Sequence, residues 1–356
     1  MSGDYITDRS VDLLLQKLSD CSGPVLIIAD ENWTLTDWTA VGQAHHCSID
    51  VISNRIDVAN NATAGGVSCH FSDFDFSQLP AAHYQAVLYR VSKERATSHH
   101  VINHAATHLL IPGGTLLLSG AKNDGLKSYL KQACQLFGDH TQAEKHGSAY
   151  RASICLRALA CSPLMDKNYA AIRSLNSLDQ GRYHSKPGVF GWDKIDRGSA
   201  FLIDHLGAFL ALFTTPPKSL LDLGCGYGYL ACEASRHGFN EIVASDNNAA
   251  ALSACRENFA RLLTVPNRVV AGDAGGNIEQ RFDVLLCNPP FHAGFSVDGR
   301  LGIKFLRNAR RLLAISGRAL FVVNRFIMLE KYAREHFKRV DVIADNGAYK
   351  LVALSH

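Results

Sequence analysis

Two short motifs in the second half of the chain hold residues whose types and spacing could do chemistry. Residues 222–228 read DLGCGYG after an apolar run, and residues 288–291 read NPPF after another apolar run. A glycine turn after a strand lets the backbone approach a nucleoside cofactor closely. An amide beside two prolines offers fixed hydrogen-bond acceptors. Together the motifs predict methylation of a planar nitrogen with S-adenosylmethionine as the methyl donor.

The cofactor prediction rests on the ends of three predicted strands. Asp222 ends the first and could meet the ammonium of the methionine portion, and Asp246 ends the second, where an acid suits ribose hydroxyls. Asp273 ends the third and could accept from the adenine amino group, or else cap a helix or turn. A nicotinamide site would share these features, but here the turn is GxGxG rather than GxGxxG and Asn-Pro-Pro follows. The expected cofactor contacts are Asp222, Gly224, Gly226, Gly228, Asp246, Asn247, Asp273, Ala274 and Asn288.

The predicted catalytic set is Asn288, Pro289, Pro290 and Phe291. The prolines stiffen the loop and remove amide donors, which leaves the Asn288 side-chain oxygen and the Pro289 carbonyl as acceptors. Two acceptors that grip an exocyclic NH₂ favour a nitrogen with an available lone pair, so no strong base is needed. The ring of Phe291 offers a stacking face for a flipped base. The alternative is a purely structural Pro-Pro turn with a packed phenylalanine.

The elements that must position these motifs occur twice along the chain. Apolar strands near residues 24–30, 86–91 and 115–119 recur near 219–223, 283–287 and 318–323, at an offset of about 195 to 203 residues. In each copy a helical stretch and a glycine turn, at 112–114 and at 316–317, precede the last of these strands. Apolar strands alternating with helices predict parallel sheets covered on both faces. The expected fold is α/β, with two tandem Rossmann-like (class I) methyltransferase domains.

The first copy has neither motif, because DENWTL follows its first strand and RVSKE its second. We therefore expect a degenerate, non-catalytic domain over residues 1–165 and a catalytic domain over 187–356. The polar stretch between them, which ends near Pro187 and Gly188, predicts a linker over 166–186.

Composition limits the class of protein. The 356 residues suffice for two domains, and 47% hydrophobic with 19% charged residues is typical of a globular protein. The ten cysteines include no CxxC pair, which favours reduced thiols in the cytoplasm. No apolar run approaches the roughly 18 residues that span a bilayer, and the first residues do not resemble a signal peptide. We expect a cytoplasmic monomer without membrane contact.

A net charge of +3 is weak evidence for nucleic-acid binding, but the distribution of the charge along the chain is better evidence. The region 299–340 is strongly basic and follows the NPPF motif, which suits phosphate contact; a solvated helix face is the alternative. Lys304, Arg307 and Arg311 recur at helical spacing and are the expected RNA-binding residues. His100, His104 and His108 have a metal-binding spacing but lie in the first copy, where a polar helix face is the simpler interpretation. We predict no metal.

Nearly the whole chain resembles the ribosomal RNA guanine-N2 methyltransferases, and within them the small-subunit methyltransferase C family. The resemblance includes the degenerate first copy, the segment 187–198 (PGVFGWDKIDRG), the turn at 222–228 and NPPFH at 288–292. It implies methylation of the 2-amino group of one guanine in 16S rRNA, with 16S rRNA or the small ribosomal subunit as partner. It further implies that Phe190, Asp196 and Gly198 close over the cofactor and that residues 288–291 hold the guanine.

Three other functions remain open at this point. The large-subunit guanine-N2 enzyme, which acts on 23S rRNA, shares NPPFH, although Pro187 and Gly188 favour the small-subunit family. A protein glutamine methyltransferase also uses Asn-Pro-Pro but usually with tyrosine next, and it does not explain the duplicated first copy. A non-catalytic RNA-binding protein does not explain the intact glycines and Asn288.

Overall fold

The computed structural model describes residues 8–43, 47–175, 181–290 and 295–356. The chain divides into two compact units, Met1–Ala171 and Ile172–His356. Each unit contains one seven-stranded sheet. The finer limits expected from the sequence, with domains at 1–165 and 187–356 and a linker at 166–186, remain predictions.

The first unit alternates strands and helices along the chain. Its strands are β1 (Val25–Ala29), β2 (Ile49–Ser53), β3 (Ser68–Phe71), β4 (Tyr84–Arg90), β5 (Leu110–Ala121), β6 (Glu144–His146) and β7 (Ala149–Cys155). Its helices are α1 (Arg9–Leu15), α2 (Trp38–Gln43), α3 (Ile56–Ala64), α4 (Arg95–His104) and α5 (Leu126–Phe137), and a π-helical turn, Ala105–Leu109, extends α4.

The second unit opens with a short two-stranded ribbon before its main sheet. Its strands are β8 (Arg173–Ser174), β9 (His184–Ser185), β10 (Ser219–Leu223), β11 (Glu241–Asp246), β12 (Asn267–Ala271), β13 (Phe282–Cys287), β14 (Leu313–Asn324), β15 (Arg339–Asp345) and β16 (Tyr349–Ser355). Its helices are α6 (Arg197–Asp204), α7 (Leu206–Leu210), α8 (Tyr229–Ala234), α9 (Ala249–Leu262), α10 (Phe295–Leu312) and α11 (Leu329–Ala333).

The two large sheets have the same topology. The strand orders are β3-β2-β1-β4-β5-β7-β6 and β12-β11-β10-β13-β14-β16-β15. In both sheets the first five strands are parallel and the last two run antiparallel to their neighbours. The prediction of two tandem Rossmann-like domains is therefore confirmed.

The central strands of each sheet are buried on both faces. Along β1, Leu26 and Ile28 belong to one apolar cluster while Val25 and Ile27 belong to another. This alternation follows from the two-residue period of a strand, which sends neighbouring side chains to opposite faces. Continuous apolar runs such as VLIIA are the sequence consequence of covering both faces with helices.

The register of pairing aligns the two copies residue by residue. Val25 pairs with Ala86 in the first sheet, and Leu220 pairs with Val284 in the second. Counting along β4 and β13 from these pairs, Arg90 in the first copy occupies the place of Asn288 in the second. The copies can therefore be compared position by position.

The sequence predicts a glycine turn before the last parallel strand of each copy, and this prediction is wrong. Both lie inside longer strands, β5 and β14, where the pairing register shifts. A Cβ on Gly114 would lie 2.9 Å from the Ile111 carbonyl oxygen, and one on Gly317 would lie 2.8 Å from that of Phe282. The glycines are thus needed for a bulge in the strand rather than for a chain reversal.

No helix in the described ranges is long and apolar enough to cross a membrane. All ten cysteines are free, and Cys225, Cys232, Cys255 and Cys287 are buried.

Candidate active site

The turn after β10 carries three glycines in the left-handed region. Gly224, Gly226 and Gly228 have φ of 77°, 55° and 85°, which other residues adopt only with strain. The turn is fastened to the end of β11, because the amides of Gly224 and Cys225 donate to the Ser245 carbonyl at 2.8 and 3.0 Å. A Cβ on Gly226 would meet no described atom within 4 Å. Gly226 therefore offers bare backbone beside open space.

Asp222 lies beneath this turn and is fully buried. Its Oδ2 accepts a hydrogen bond from the Ala231 amide in the first turn of α8, at 3.0 Å. Its Oδ1 has no hydrogen-bond partner within the described part of the chain. Burial, with a smaller contribution from the Asp246 charge, raises the pKa of Asp222 to about 7. The residue therefore fixes α8 against β10 and keeps one unsatisfied acceptor, whereas the sequence predicted only a ligand contact.

Asp246 lies at the end of β11 and is joined to the same turn. Its Oδ2 accepts from the Gly226 amide at 3.0 Å, and its Oδ1 accepts from the Asn248 amide at 2.9 Å. The Asn248 side chain in turn donates to the Gly188 carbonyl at 2.8 Å. These bonds bring the segment around Gly188 and Phe190 to the end of β11, and the Phe190 side chain is 58% exposed there.

The N-terminus of α6 meets the end of β13. Asp196 caps α6, and its Oδ2 accepts from the Ser199 amide at 2.9 Å. The Asn288 side-chain nitrogen donates to the same Oδ2 at 2.8 Å and to the Ser199 hydroxyl oxygen at 2.9 Å. Two residues about ninety positions earlier in the sequence thus hold the amide that follows β13.

These bonds determine which way the Asn288 amide faces. A carboxylate only accepts hydrogen bonds, so the atom next to Asp196 must be the amide nitrogen. Both N–H groups are then used, and no donor among the described residues reaches Oδ1. The side chain presents a single oriented acceptor. Pro289 is buried and Pro290 is exposed. The predicted stacking residue, Phe291, lies outside the described residues.

Gly198 shows why a glycine stands in the first turn of α6. A Cβ there would lie 3.0 Å from Asp196 Oδ2 and 3.1 Å from the Tyr349 ring. The absence of a side chain lets the ring of Tyr349, at the start of β16, approach the cap of α6. The start of β16 therefore also lies beside the cap of α6.

The remaining predicted residues lie around α10. Lys304 forms an ion pair with Asp273, so two residues expected to bind different ligands bind each other. Ala274, in the turn after Asp273, is buried and has a φ of 48°. Arg307 is exposed. The Arg311 guanidinium donates to the Gly275 carbonyl at 2.9 Å and also to the Ile278 carbonyl, which ties α10 to the preceding loop.

The first unit shows what the same positions become without these motifs. Arg90 stands in the place of Asn288 and forms ion pairs with Asp8, at 3.0 Å, and with Asp124, at 2.9 Å. Asp8 caps α1 as Asp196 caps α6. The link from a strand end to a helix cap therefore exists in both copies. Only the second copy makes it with an amide, which leaves an acceptor exposed to a ligand.

The histidines of α4 do not form the polar face that the sequence predicts. His100 is buried, stacks on Phe76 at 5.6 Å between ring centroids, and approaches the Phe74 carbonyl at 3.0 Å. Burial and its histidine neighbours lower the pKa of His104 to about 4. Among the described residues no group of His, Cys, Asp and Glu could hold a metal ion.

Sequence reasoning missed Ser199, Tyr349 and Asn248. Ser199 and Asn248 each lie near a predicted site residue in the sequence, at a helix N-terminus. A capping pattern such as Asp196-x-x-Ser199 signals a helix start but does not indicate which distant group the hydroxyl contacts. Tyr349 carries no sequence signal at all.

The fold and the site together define the class of protein. A parallel Rossmann-like sheet carries a glycine turn, a second strand-end acid and an Asn-Pro-Pro acceptor at the carboxyl ends of its strands, where such sheets bind ligands. This combination is that of a Rossmann-like methyltransferase.

The comparisons with known proteins identify the family. Residues 180–353 match the model of the methyltransferase small domain. Ribosomal RNA small subunit methyltransferase C of Shewanella loihica is 29% identical over 295 residues, 81% of each chain. The protein of the same name from Escherichia coli O7:K1 is 30% identical over 246 residues, 68% of this chain and 67% of the relative. A solved T. thermophilus 16S rRNA N2 methyltransferase (RsmC), in complex with AdoMet and guanosine, shares the fold with a TM-score of 0.82 and 23% identity, over 98% of this chain and 92% of that one.

The chain belongs to the ribosomal RNA small subunit methyltransferase C family. It is a methyltransferase, as the sequence predicts.

Proposed function

We propose that this protein transfers a methyl group from S-adenosylmethionine to the exocyclic 2-amino group of a guanine in 16S rRNA. Its relatives are named as small-subunit rRNA methyltransferases, and the T. thermophilus protein was solved with AdoMet and guanosine. The observation that carries the proposal is the orientation of the Asn288 amide. Its nitrogen donates hydrogen bonds to Asp196 and Ser199, which leaves its oxygen as the acceptor for a substrate.

The residues around the glycine turn fit S-adenosylmethionine. Gly226 leaves room for a ligand against its backbone. Asp222 keeps a buried, unsatisfied Oδ1 that a cationic donor could complete. Asp246, bonded to Gly226, is a second carboxylate that suits ribose hydroxyls. When bound, the cofactor supplies an electrophilic methyl group on a sulfonium centre.

At the guanine, the residues of this chain orient the nitrogen of the 2-amino group. Asn288 Oδ1 and the Pro289 carbonyl are proposed to accept from the two N–H groups of the guanine amine. With both hydrogens held, the nitrogen lone pair points to one side of the amine, and orientation of this kind is worth several orders of magnitude in rate. The methylated nitrogen is acidic enough to lose its proton to water, so the site needs no general base. Phe291 stays the predicted stacking face.

Family membership favours small-subunit rRNA over the other functions that the sequence left open. Relatives that align with two thirds or more of this chain are named as small-subunit rRNA methyltransferases. All candidate site residues lie in the second unit, which supports action as a monomer. An rRNA substrate supports a cytoplasmic location.

The test is to incubate the protein with methyl-labelled S-adenosylmethionine and, separately, small and large ribosomal subunits and their protein-free RNAs. We expect label in 16S rRNA alone, recovered after nuclease digestion as N2-methylguanosine. Label in 23S rRNA, in ribosomal protein, or on another atom of the nucleotide would overturn the proposal.

A further inference from the structure

A large aromatic side chain stands in solvent next to the candidate site. Phe326, two residues after β14, is 86% exposed, and Met328 in the same turn is 53% exposed. An exposed phenylalanine of this degree gains nothing from the core and leaves apolar surface in water.

The turn that carries Phe326 is held by hydrogen bonds and by one buried residue. The Phe326 amide donates to Asn324 Oδ1 at 3.1 Å, and the Arg325 amide donates to the Ala348 carbonyl at 2.8 Å. Ile327, the next residue, is buried and anchors the turn in the core. The ring of Phe326 is therefore held outward by a fixed backbone.

The position of the turn relates it to the acceptor site. β13 and β14 are parallel neighbours, and Cys287 pairs with Phe321, so both strands end at the edge of the sheet that carries Asn288. Asn324 pairs with Tyr349, whose ring lies against Gly198 beside the cap of α6. Phe326 is thus presented from the same edge as Asn288, on the side of β14.

The first unit provides an internal control for what the fold needs at this position. The strands β5 and β14 share one burial pattern up to their last residue. By the register of these strands, Phe326 corresponds to Asn123, which is also exposed. The fold therefore accepts a small polar residue here, and the aromatic ring occurs in the copy that carries Asn-Pro-Pro.

The exposed arginines at this edge of the sheet suit a polyanion. Arg325 is exposed and lies 3.4 Å from Asp345, at the distance of a weak, solvent-screened ion pair. Arg197, in the first turn of α6, is also exposed. An exposed ring with arginine nearby is the arrangement by which proteins bind single-stranded nucleic acid, with bases stacked on rings and phosphates near cations.

We propose that Phe326 is a stacking platform for an unpaired base of the rRNA segment that flanks the target guanine. This inference rests on the proposed function. It adds a substrate contact on the β14 side of the site, distinct from the predicted face of Phe291. Base stacking is indifferent to base identity, so the contact holds the RNA strand in place rather than choosing the guanine.

The test compares Phe326→Ala and Phe326→Trp with the control Ile315→Ala. Ile315 is 82% exposed in the bulge near the start of β14, at the opposite edge of the sheet. We expect Phe326→Ala to raise KM for the rRNA substrate at least about fivefold, with the cofactor Kd by calorimetry unchanged. Phe326→Trp should restore KM, and Ile315→Ala should leave it unchanged. If the wild-type protein methylates guanine but Phe326→Ala leaves KM unchanged, this contact is refuted and the proposed function still stands.

A crosslinking experiment identifies what the ring touches. With p-benzoylphenylalanine in place of Phe326, irradiation of the complex with small subunits should join the protein to 16S rRNA near the methylated guanine. The same replacement at Ile315 should give no such product. A crosslink from position 326 to a ribosomal protein, or to RNA far from the modified nucleotide, would overturn the proposal. Absence of guanine methylation by the wild type would instead refute the proposed function itself.

Discussion

At the scale of single residues, the amide of Asn288 decides what the site can do. Because the Asn288 nitrogen donates to Asp196 and Ser199, the amide cannot flip without losing both bonds, and its oxygen is the acceptor that we propose for the substrate. Such preorganised acceptors contribute mainly to the chemical step, since they cost no reorganisation as the reaction proceeds.

We predict that Asn288→Ala lowers kcat at least about tenfold, about 1.4 kcal/mol of barrier, while the cofactor Kd stays nearly unchanged. The loss follows from removing an acceptor that orients the amine without touching the glycine turn. Single-turnover kinetics at saturating RNA, with calorimetry for the cofactor, would measure both. Wild-type turnover in this variant would contradict the acceptor mechanism.

Ser199→Ala gives a sharper test of how Asn288 is held. The change deletes one of the two acceptors of the Asn288 nitrogen and leaves Asp196 as the cap of α6. We predict a severalfold lower kcat with unchanged cofactor Kd, because the amide can then rotate. The control, Ser235→Ala at the end of α8, removes a hydroxyl that bonds only locally to the Cys232 carbonyl.

A double-mutant cycle separates positioning from stability in this pair. If Ser199 acts through Asn288, Ser199→Ala should cost nothing further in kcat when Asn288 is already alanine. Independent, additive losses would instead mean that Ser199 matters only for the fold of α6.

At the scale of elements, Asp222 couples β10 to α8 and makes that junction sensitive to pH. Its folded pKa of about 7 lies above the ordinary value of 3.8 for an aspartate because the buried carboxylate is poorly solvated. The folded state therefore binds more protons than the unfolded state between these values. The stability that Asp222 contributes is full below about pH 4 and is lost as the pH rises through about 7.

We predict that Asp222→Asn removes this dependence. Asparagine can still accept from the Ala231 amide through its oxygen, but it does not titrate. Urea unfolding from about pH 4 to about pH 7 should show the wild type losing up to about 1.4 kcal/mol per pH unit relative to the variant. Parallel stability curves for the two proteins would show that Asp222 does not titrate in this range.

At the scale of the whole molecule, comparison of the two sheets shows which features belong to the shared scaffold and which belong to the candidate site. The first unit keeps the strand order, the bulge and the link from a strand end to a helix cap, but Arg90 fills the place of Asn288 with two ion pairs. It has no such acceptor but keeps the packing, so we expect its role to be structural or to guide the RNA.

We predict that residues 172–356 alone bind S-adenosylmethionine with the affinity of the full chain, since every candidate contact lies in that unit. The same fragment should methylate rRNA poorly. Circular dichroism would show whether it folds, calorimetry its affinity, and the labelling assay its activity. A folded fragment with full activity and the same target guanine would show that the first unit neither guides nor supports the reaction.

The sequence by itself determined the features that are local or periodic. Apolar runs such as residues 219–223 must be buried strands, and their recurrence predicts two similar sheets. The glycines at 224, 226 and 228 permit a left-handed turn whatever surrounds them, and the prolines of Asn-Pro-Pro stiffen the loop and remove two amide donors by their covalent structure. These properties depend on neighbours in the chain, which the sequence contains in full.

Only the tertiary structure decided which distant side chains meet. The Asn288 nitrogen reaches Asp196 and Ser199 across 92 and 89 positions, and no local pattern encodes that contact. Helical spacing grouped Lys304 with Arg311, yet one pairs with Asp273 and the other binds backbone carbonyls, because a charge takes whichever partner the packing brings within reach. The exposure of Phe326 likewise follows from where β14 ends in the sheet, since a phenylalanine in an apolar sequence is otherwise expected in the core.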